Sequence, residues 1–443
     1  MNLKEQFSFI ESSIPPQGLF DSKQWRMAVR PFPLSKKFVK ELDNFGKVLV
    51  KYYQSISQLY RFSTSEREPR WVAEWLNKGK PKELIDLQLD KKFIHQFPRV
   101  IRPDILLTEE GWAISELDSV PGGIGLTSWL NKTYQAIGHD VIGSDSDMIE
   151  NFLKIFPDSG GIHIIVSEEA KTYRPEMQYL ANQLKLSPSI SDRPIEVRDE
   201  NFTNFPEGDS VYRFFEMFDL DNIPSAAHIF RAAKDGSIHL TPPPRVIMEE
   251  KMNMALLWNN NIEDFWLREM GRSYFEKLKN VIPRSWIVDP TPIPPHASIA
   301  GLDYTSWHQL KSLSQKKRDF ILKISGFSEL AWGARGVHLG SDMPSDEWSE
   351  AIDKAISSFE SSPFILQKYK KPRTVETSWI SPQTYEAIEM KSRVRLCPYY
   401  FVHGSQDRPQ VKLSGVLATL CPSDKKIIHG MSDAVLAPCV IDD

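Results

Sequence analysis

Between Arg102 and Asp118 the chain reads Arg-Pro-Asp-Ile-Leu-Leu-Thr-Glu-Glu-Gly-Trp-Ala-Ile-Ser-Glu-Leu-Asp. This pattern sets two short strands, Asp104 to Thr108 and Trp112 to Asp118, on either side of Glu109-Glu110-Gly111. A hairpin constrains the fold strongly, because the length of its loop decides which side chains share a face. With a three-residue loop and Gly111 in the left-handed position, Thr108 falls opposite Trp112, Asp104 opposite Glu116 and Arg102 opposite Asp118. All four charged residues then lie on one face. A two-residue loop at Glu110-Gly111 would instead turn Asp104 to the other face.

Three carboxylates on one face repel one another, by roughly 1 kcal/mol per pair at about 4 Å in water and several times that near an interior. A cation relieves the repulsion. Oxygen-only ligands beside one arginine suit magnesium bridging a phosphate better than zinc or iron, and Arg102 is placed to clamp the same phosphate. The alternative is an exposed hairpin whose charged face is simply hydrated. The residues of the hairpin leave both readings open.

Elsewhere the pattern alternates between helical and strand periods. Phe38, Leu42, Phe45, Leu49, Tyr52, Ile56 and Leu59 recur at three- and four-residue steps, predicting one long helix from near Ser35. Shorter helices are expected around Trp71 to Leu76 and Glu83 to Leu89. The hairpin leads into Pro121-Gly122-Gly123-Ile124-Gly125 and a helix from about Ser128. Ile162 to Val166 is an apolar strand, with Ser167 as N-cap of a helix carrying Tyr173, Met177, Leu180 and Leu184. Further strand and helix units run to about Pro243, then helices Met248 to Trp258 and Ile262 to Leu278, then a proline-rich edge from Pro283 to Pro295. The fold class expected is α/β or α+β, divided as 1–150 (helices, hairpin and Gly-rich loop), 151–300 (an α/β substrate domain) and 301–443 (a lysine strand, Gly-rich loop and C-terminal sheet).

Composition narrows the function. The chain has 443 residues, 41% hydrophobic and 25% charged, a formal net charge of -4 and three cysteines, Cys397, Cys421 and Cys439. No paired Cys/His spacing suggests a disulfide framework or zinc site, and the slightly acidic balance argues against a nucleic-acid partner. With neither a secretory pattern at Met1 to Pro15 nor an apolar stretch of about 18 residues, no membrane association is expected and the default location is cytoplasmic.

The second informative stretch is Phe320-Ile321-Leu322-Lys323-Ile324, where Lys323 interrupts a run apolar enough to be buried. A buried ammonium needs a partner, and a nucleotide phosphate is one; snorkelling from an edge strand is the other solution. Gly326, Gly333, Gly336 and Gly340 follow, with Arg335 among them, giving backbone N–H groups access to phosphate oxygens in a sequence that is not a Walker loop. A helix from Ser345 to Phe359 leads to the strand Pro363 to Tyr369, whose polar end at Gln367 and Lys368 offers partners to an adenine edge. Lys391, Arg393 and Arg395 alternate onto one face of a later strand, Glu389 to Val402, which is either an anion-facing row or a solvated edge. A last strand, Gln410 to Leu420, follows.

Taken together, these residues resemble the ATP-grasp ligases, and among them the glutathionylspermidine synthase-like group. That family's metal-binding hairpin reads R-x-D, then E-x-N with the Glu twelve residues after the Asp. Here Arg102-Pro103-Asp104 is followed at the same interval by Glu116-Leu117-Asp118. The hairpin also precedes the lysine strand, the permuted order of that group, and Glu249 to Trp258 looks like its lysine-bearing helix. The resemblance extends to the synthetase part, and no N-terminal cysteine amidase portion is expected.

The resemblance implies an ATP-grasp-like fold with a nucleotide cleft between antiparallel sheets, and ATP with two magnesium ions as cofactors. It assigns the metal to Asp104, Glu116 and Asp118, the transferred phosphate to Arg102, and the nucleotide to Lys251, Lys323, Gly333, Gly336, Gln367 and Lys368. Two departures stand out: Asp118 replaces the family's asparagine, and Gly415 to Leu420 lacks an expected arginine, with Arg393 or Arg395 as substitutes. The activity implied is ATP-dependent joining of a small carboxylate to a small amine through an acylphosphate. A non-catalytic nucleotide-binding protein of the same fold and a small-molecule kinase are the alternatives. Substrate contacts are expected in the middle section, in loops such as Arg213 to Asp219, where Arg213 and Glu216 equally suit a structural ion pair.

Overall fold

The computed structural model of the chain describes all residues except 17–19, 21–24, 144–145, 188–192, 332–334, 429–432 and 443. It is a mixed α/β structure, as expected, resolved into two compact units that are interleaved in sequence. The first holds residues 1–50, 98–243 and 371–443; the second holds 51–97 and 244–370. Neither unit is one continuous segment.

In the first unit an eight-stranded sheet is formed among the described residues. Its central strands are antiparallel: Gly111–Asp118, Val100–Thr108, Ala387–His403, Gln410–Pro422 and Val435–Asp442 lie side by side in that order. Thr374–Ile380 and Val435–Asp442 are strands that periodicity did not reveal, the former because exposed and half-buried residues mix along it without a clear alternation. A separate four-stranded sheet, Ile195–Arg198, Ile162–Val166, Ser210–Phe214 and His239–Thr241, is parallel throughout. Ile162–Val166 is buried along its whole length, which is why it reads as a continuous apolar run.

Local signals misplace two helix starts here. The helix after the glycine-rich loop begins at Ile124, four residues ahead of Ser128. Its cap is not local: the Glu176 carboxylate accepts from the Gly125 N–H at 2.9 Å. Ser167 does not cap the next helix, which starts at Arg174 after a 3₁₀ turn over Lys171–Tyr173. Its hydroxyl instead accepts from the Ala170 N–H.

The long helix is Lys36–Thr64, and Leu42, Phe45, Leu49, Tyr52, Ile56 and Leu59 are buried while Phe38 is half-buried. The second unit carries a four-stranded antiparallel sheet ordered Val337–Leu339, Phe320–Ile324, Phe364–Lys368, Ser285–Ile287. Helix Ser345–Ser357 covers it through Trp348, Ile352 and Ala355, which join Phe320, Leu322, Ile324, Phe364 and Leu366 in one apolar core. The predicted helix Ile262 to Leu278 is two helices, Glu263–Met270 and Arg272–Val281, broken where Gly271 takes a φ of 74°. Met248 to Trp258 is likewise divided, into a 3₁₀ turn Val246–Glu249 and a short helix Met252–Leu256. No helix among the described residues is long and apolar enough to cross a membrane.

Candidate functional site

The hairpin does not have the three-residue loop. Thr108 pairs with Gly111 and Leu107 with Trp112, so Glu109 and Glu110 alone make the turn. That register carried to the end would have put Asp104 on the wrong face. A β-bulge between Ile105 and Asp104 corrects it: Ser115 is the extra residue, and its hydroxyl donates to the Asp104 carbonyl at 3.1 Å. Beyond the bulge Asp104 pairs with Glu116 and Arg102 with Asp118, the partners expected. Trp112 anchors the turn end, packing edge-on against Phe45 at 5.0 Å and donating from its indole to Glu41 at 3.0 Å.

The carboxylates are interleaved with arginines. Arg102 Nε donates to Asp104 Oδ1 at 2.9 Å, and Nη2 lies 3.0 Å from Asp118 Oδ2. Arg395, from the neighbouring strand, donates to Asp104 Oδ2 at 3.0 Å. The row Asp118, Arg102, Asp104, Arg395 thus alternates in sign across three strands, which relieves the repulsion that a carboxylate face alone would suffer. Burial alone would push Asp104 up, yet Arg102 and Arg395 together with the Cys397 thiol outweigh it and hold the carboxyl below its usual value. Asp118 goes the other way, raised by burial that Arg102 and the Val120 N–H offset only in part. Burial and Asp104 push the Cys397 thiol up to about 12, so it stays protonated and donates toward Asp104.

Glu116 is half-buried beside this row. The donor chemistry of Asp104, Glu116 and Asp118 is that of a magnesium ligand set. As arranged, both Asp104 oxygens and one Asp118 oxygen are held by guanidinium groups, and among the described residues no group of three His, Cys, Asp or Glu side chains stands ready to hold a metal.

Sequence reasoning missed Glu176, although a signal was present: it shares the stripe of Leu180 and Leu184 on an otherwise apolar helix face. It is fully buried, and Oε2 has no hydrogen-bond partner among the described residues. Burial pushes its carboxyl up to about 7, against the opposing N–H groups of Gly125, Leu126 and Gly123. Gly123 itself must be glycine: its φ is 90°, and a Cβ there would stand 2.2 Å from the Tyr399 hydroxyl. A raised carboxyl stabilises the fold below its unfolded value and loses that contribution as pH climbs through the folded one. Stability should therefore fall between about pH 4.5 and 7 by up to roughly 3 kcal/mol from this group. Glu176→Gln keeps an acceptor for Gly125, so urea midpoints measured against pH should lose that decline.

The second unit carries the lysines. Lys323 is buried and its ammonium donates to Gln367 Oε1 at 2.8 Å; Gln367 Nε2 in turn donates to Ser285 Oγ at 3.0 Å. Strand alternation that joins Gln367 to Lys323 sends Lys368 to the opposite face, where it meets Asp319 at 3.1 Å and lies over the Phe320 ring. Lys251 is tied to the same strand end: its N–H donates to Ser325 O at 3.1 Å, and its Nζ reaches Ala331 O at 3.1 Å. Gly336 packs so closely that a Cβ would meet Ile324 Cγ2 at 2.6 Å; Gly333 lies outside the described residues. Lys80, which nothing in its local sequence marks, is a further buried ammonium, 2.5 Å from Glu250 Oε1, and the other Glu250 oxygen takes the Ser325 hydroxyl. In the first unit, Arg213 is buried and donates to the carbonyls of Phe215 and Pro243. Arg393 donates to the Lys425 carbonyl.

No protein-family model and no curated protein sequence matches the chain. Solved structures do. A glutathione synthetase-like effector, GSS30, from Globodera pallida, in its apo form, superposes with a TM-score of 0.59 at 12% identity, covering 99% of this chain and 97% of that one. The two share a fold. A protein from Methylobacillus flagellatus KT, provisionally named a gamma-glutamylcysteine synthetase, gives a TM-score of 0.40 at 12% identity, covering 86% of both chains, too loose to support an argument.

Proposed function

We propose that the protein is an ATP-dependent carboxylate–amine ligase of the glutathionylspermidine synthase-like kind. A carboxylate oxygen of the first substrate attacks the γ-phosphorus of ATP, ADP departs, and the resulting acylphosphate is attacked by the amine, with phosphate as the leaving group. Phosphate leaves far more readily than a carboxylate oxygen, which is the purpose of the activation. Lys323 and Lys251 neutralise phosphate charge, Gln367 offers its amide to the adenine edge, and Arg102 orients the transferred phosphoryl group, so the protein's contribution is positioning and electrostatics. Magnesium, held by Asp104, Glu116 and Asp118, would supply charge neutralisation on the triphosphate.

The observation that carries this reading is Lys323, an ammonium buried in an antiparallel strand beside Gln367 and Ser285, with Lys251 tied two residues further along. The test is magnesium- and ATP-dependent phosphate release, screened with amino acids, small peptides and polyamines. A matched acid and amine should stimulate release and give an amide by mass. Glu116→Gln should abolish the magnesium-dependent turnover; unimpaired turnover in that variant rejects the assignment.

One observation favours a second reading, a nucleotide-binding protein without turnover. Both oxygens of Asp104 are held by arginines, which would have to yield before the carboxylate could serve a metal. ATP binding with no ADP release under any substrate pair would favour it.

A further inference from the structure

A different feature of the second unit is independent of the ligase reading. Arg245 is fully buried, and one nitrogen orients it: Nη1 donates to Ser57 Oγ at 2.6 Å and to the Gln96 carbonyl at 2.9 Å. The opposite edge, Nε and Nη2, is buried and meets no hydrogen-bond acceptor among the described residues. Arginine does not shed its proton to escape such a place, and a buried charge without a counter-charge is strongly unfavourable.

Among the described residues, no carboxylate acts on Arg245 as a counter-charge. The charged side chain that acts on Arg245 is Arg61, of the same sign. Tyr60 is the other neighbour, but its hydroxyl donates to Asn77 Oδ1 at 2.7 Å and accepts from Gln88 Nε2 at 2.8 Å. Burial pushes that phenol up to about 12, so it is neutral. Gln88 Oε1 is itself taken by the Ile247 N–H. Asp86, which acts on Tyr60, is exposed and paired with Lys82. Burial lowers Arg245 only to about 9, which leaves it charged at neutral pH.

We propose that the Nε and Nη2 edge of Arg245 is a buried binding site for a small monovalent anion of the halide class. Two parallel N–H donors on one edge of a guanidinium are the arrangement that grips an anion. Burial of both atoms excludes anything with a tail leading to solvent, which separates this site from one for a substrate carboxylate or phosphate. The anion would fasten the long helix and the Gln96 backbone to the turn Val246–Glu249, immediately ahead of Glu250 and Lys251.

Thermal unfolding of the full chain in sodium bromide or chloride, against sodium gluconate at equal ionic strength, tests the site. The midpoint should rise by several degrees with halide and saturate, as ligand linkage requires. Arg61→Gln, which removes the neighbouring positive charge, should weaken the halide response several-fold, and Arg245→Met should abolish it. Should Arg245→Met fail to fold, crystals of the unaltered protein grown in bromide decide: an anomalous peak against Nε and Nη2 supports the site. An ordered water there without anomalous signal, a bromide peak without any solution effect, or a midpoint indifferent to halide overturns it.

Discussion

Arg102→Met should cost about 3–5 kcal/mol of stability at neutral pH, because removing one member of a buried ionic set strands the others. Arg102 bridges Asp104 and Asp118, and both bonds vanish together. Asp104 keeps Arg395 and the Cys397 thiol, while Asp118 keeps the Val120 N–H. The pH dependence gives the prediction its signature. In the natural protein the depressed Asp104 contributes stability above its unfolded value and loses it as pH falls through the folded one. In the variant, Asp118 is freed from the cation that restrains it and rises further, so protonation relieves the buried charge. The variant's deficit in urea midpoint should therefore shrink between pH 7 and about 4.5. A deficit that stays constant over that range, or one below about 1 kcal/mol, would show that the row is solvated rather than buried.

How far the hairpin was legible depends on which of its parts is examined. Pairing of Asp104 with Glu116 and of Arg102 with Asp118 followed from alternation and one assumption about the loop. The loop assumption failed, and the pairing survived because the bulge at Ser115 added back the residue that the tighter turn had removed. Nothing in Ile-Ser-Glu marks a bulge, and Arg395, which Asp104 meets beyond it, lies almost three hundred positions away. Arg395 itself was visible only as one of three alternating cations; its bond to Asp104 is a tertiary fact. Ile162–Val166 and Phe320–Ile324 were read to the residue, because burial on both faces forces a run that is apolar throughout or, in the second strand, broken only by Lys323. Helix starts were less legible wherever the cap came from elsewhere, as Glu176 does for the helix at Ile124. Lys80 had no local mark at all, its partners Glu250 and the Phe327 ring both lying far away in the chain.

Lys323→Met should lower ATP turnover by about 10²–10³ while leaving the fold in place, in line with the loss of one preorganised charge contact to a transferring group. Methionine matches the length of the lysine stem and suits a strand whose other residues, Phe320, Ile321, Leu322 and Ile324, are apolar, so the sheet loses little packing. Its fixed loss is the hydrogen bond to Gln367 Oε1, since Gln367 still keeps Ser285 through Nε2. The urea midpoint should then move far less than for Arg102→Met, and that contrast separates a functional ammonium from a structural one. Under the proposed function, calorimetry should find ATP binding weakened by a similar factor, because the lysine would act on the nucleotide before any acceptor arrives. Should Glu116→Gln silence turnover while Lys323→Met leaves binding and turnover intact, the nucleotide is not held by this strand, and the buried Lys323–Gln367 pair is a packing device. Should both fail together with the fold preserved, the hairpin and the lysine strand serve one reaction, although they lie more than two hundred residues apart in the chain.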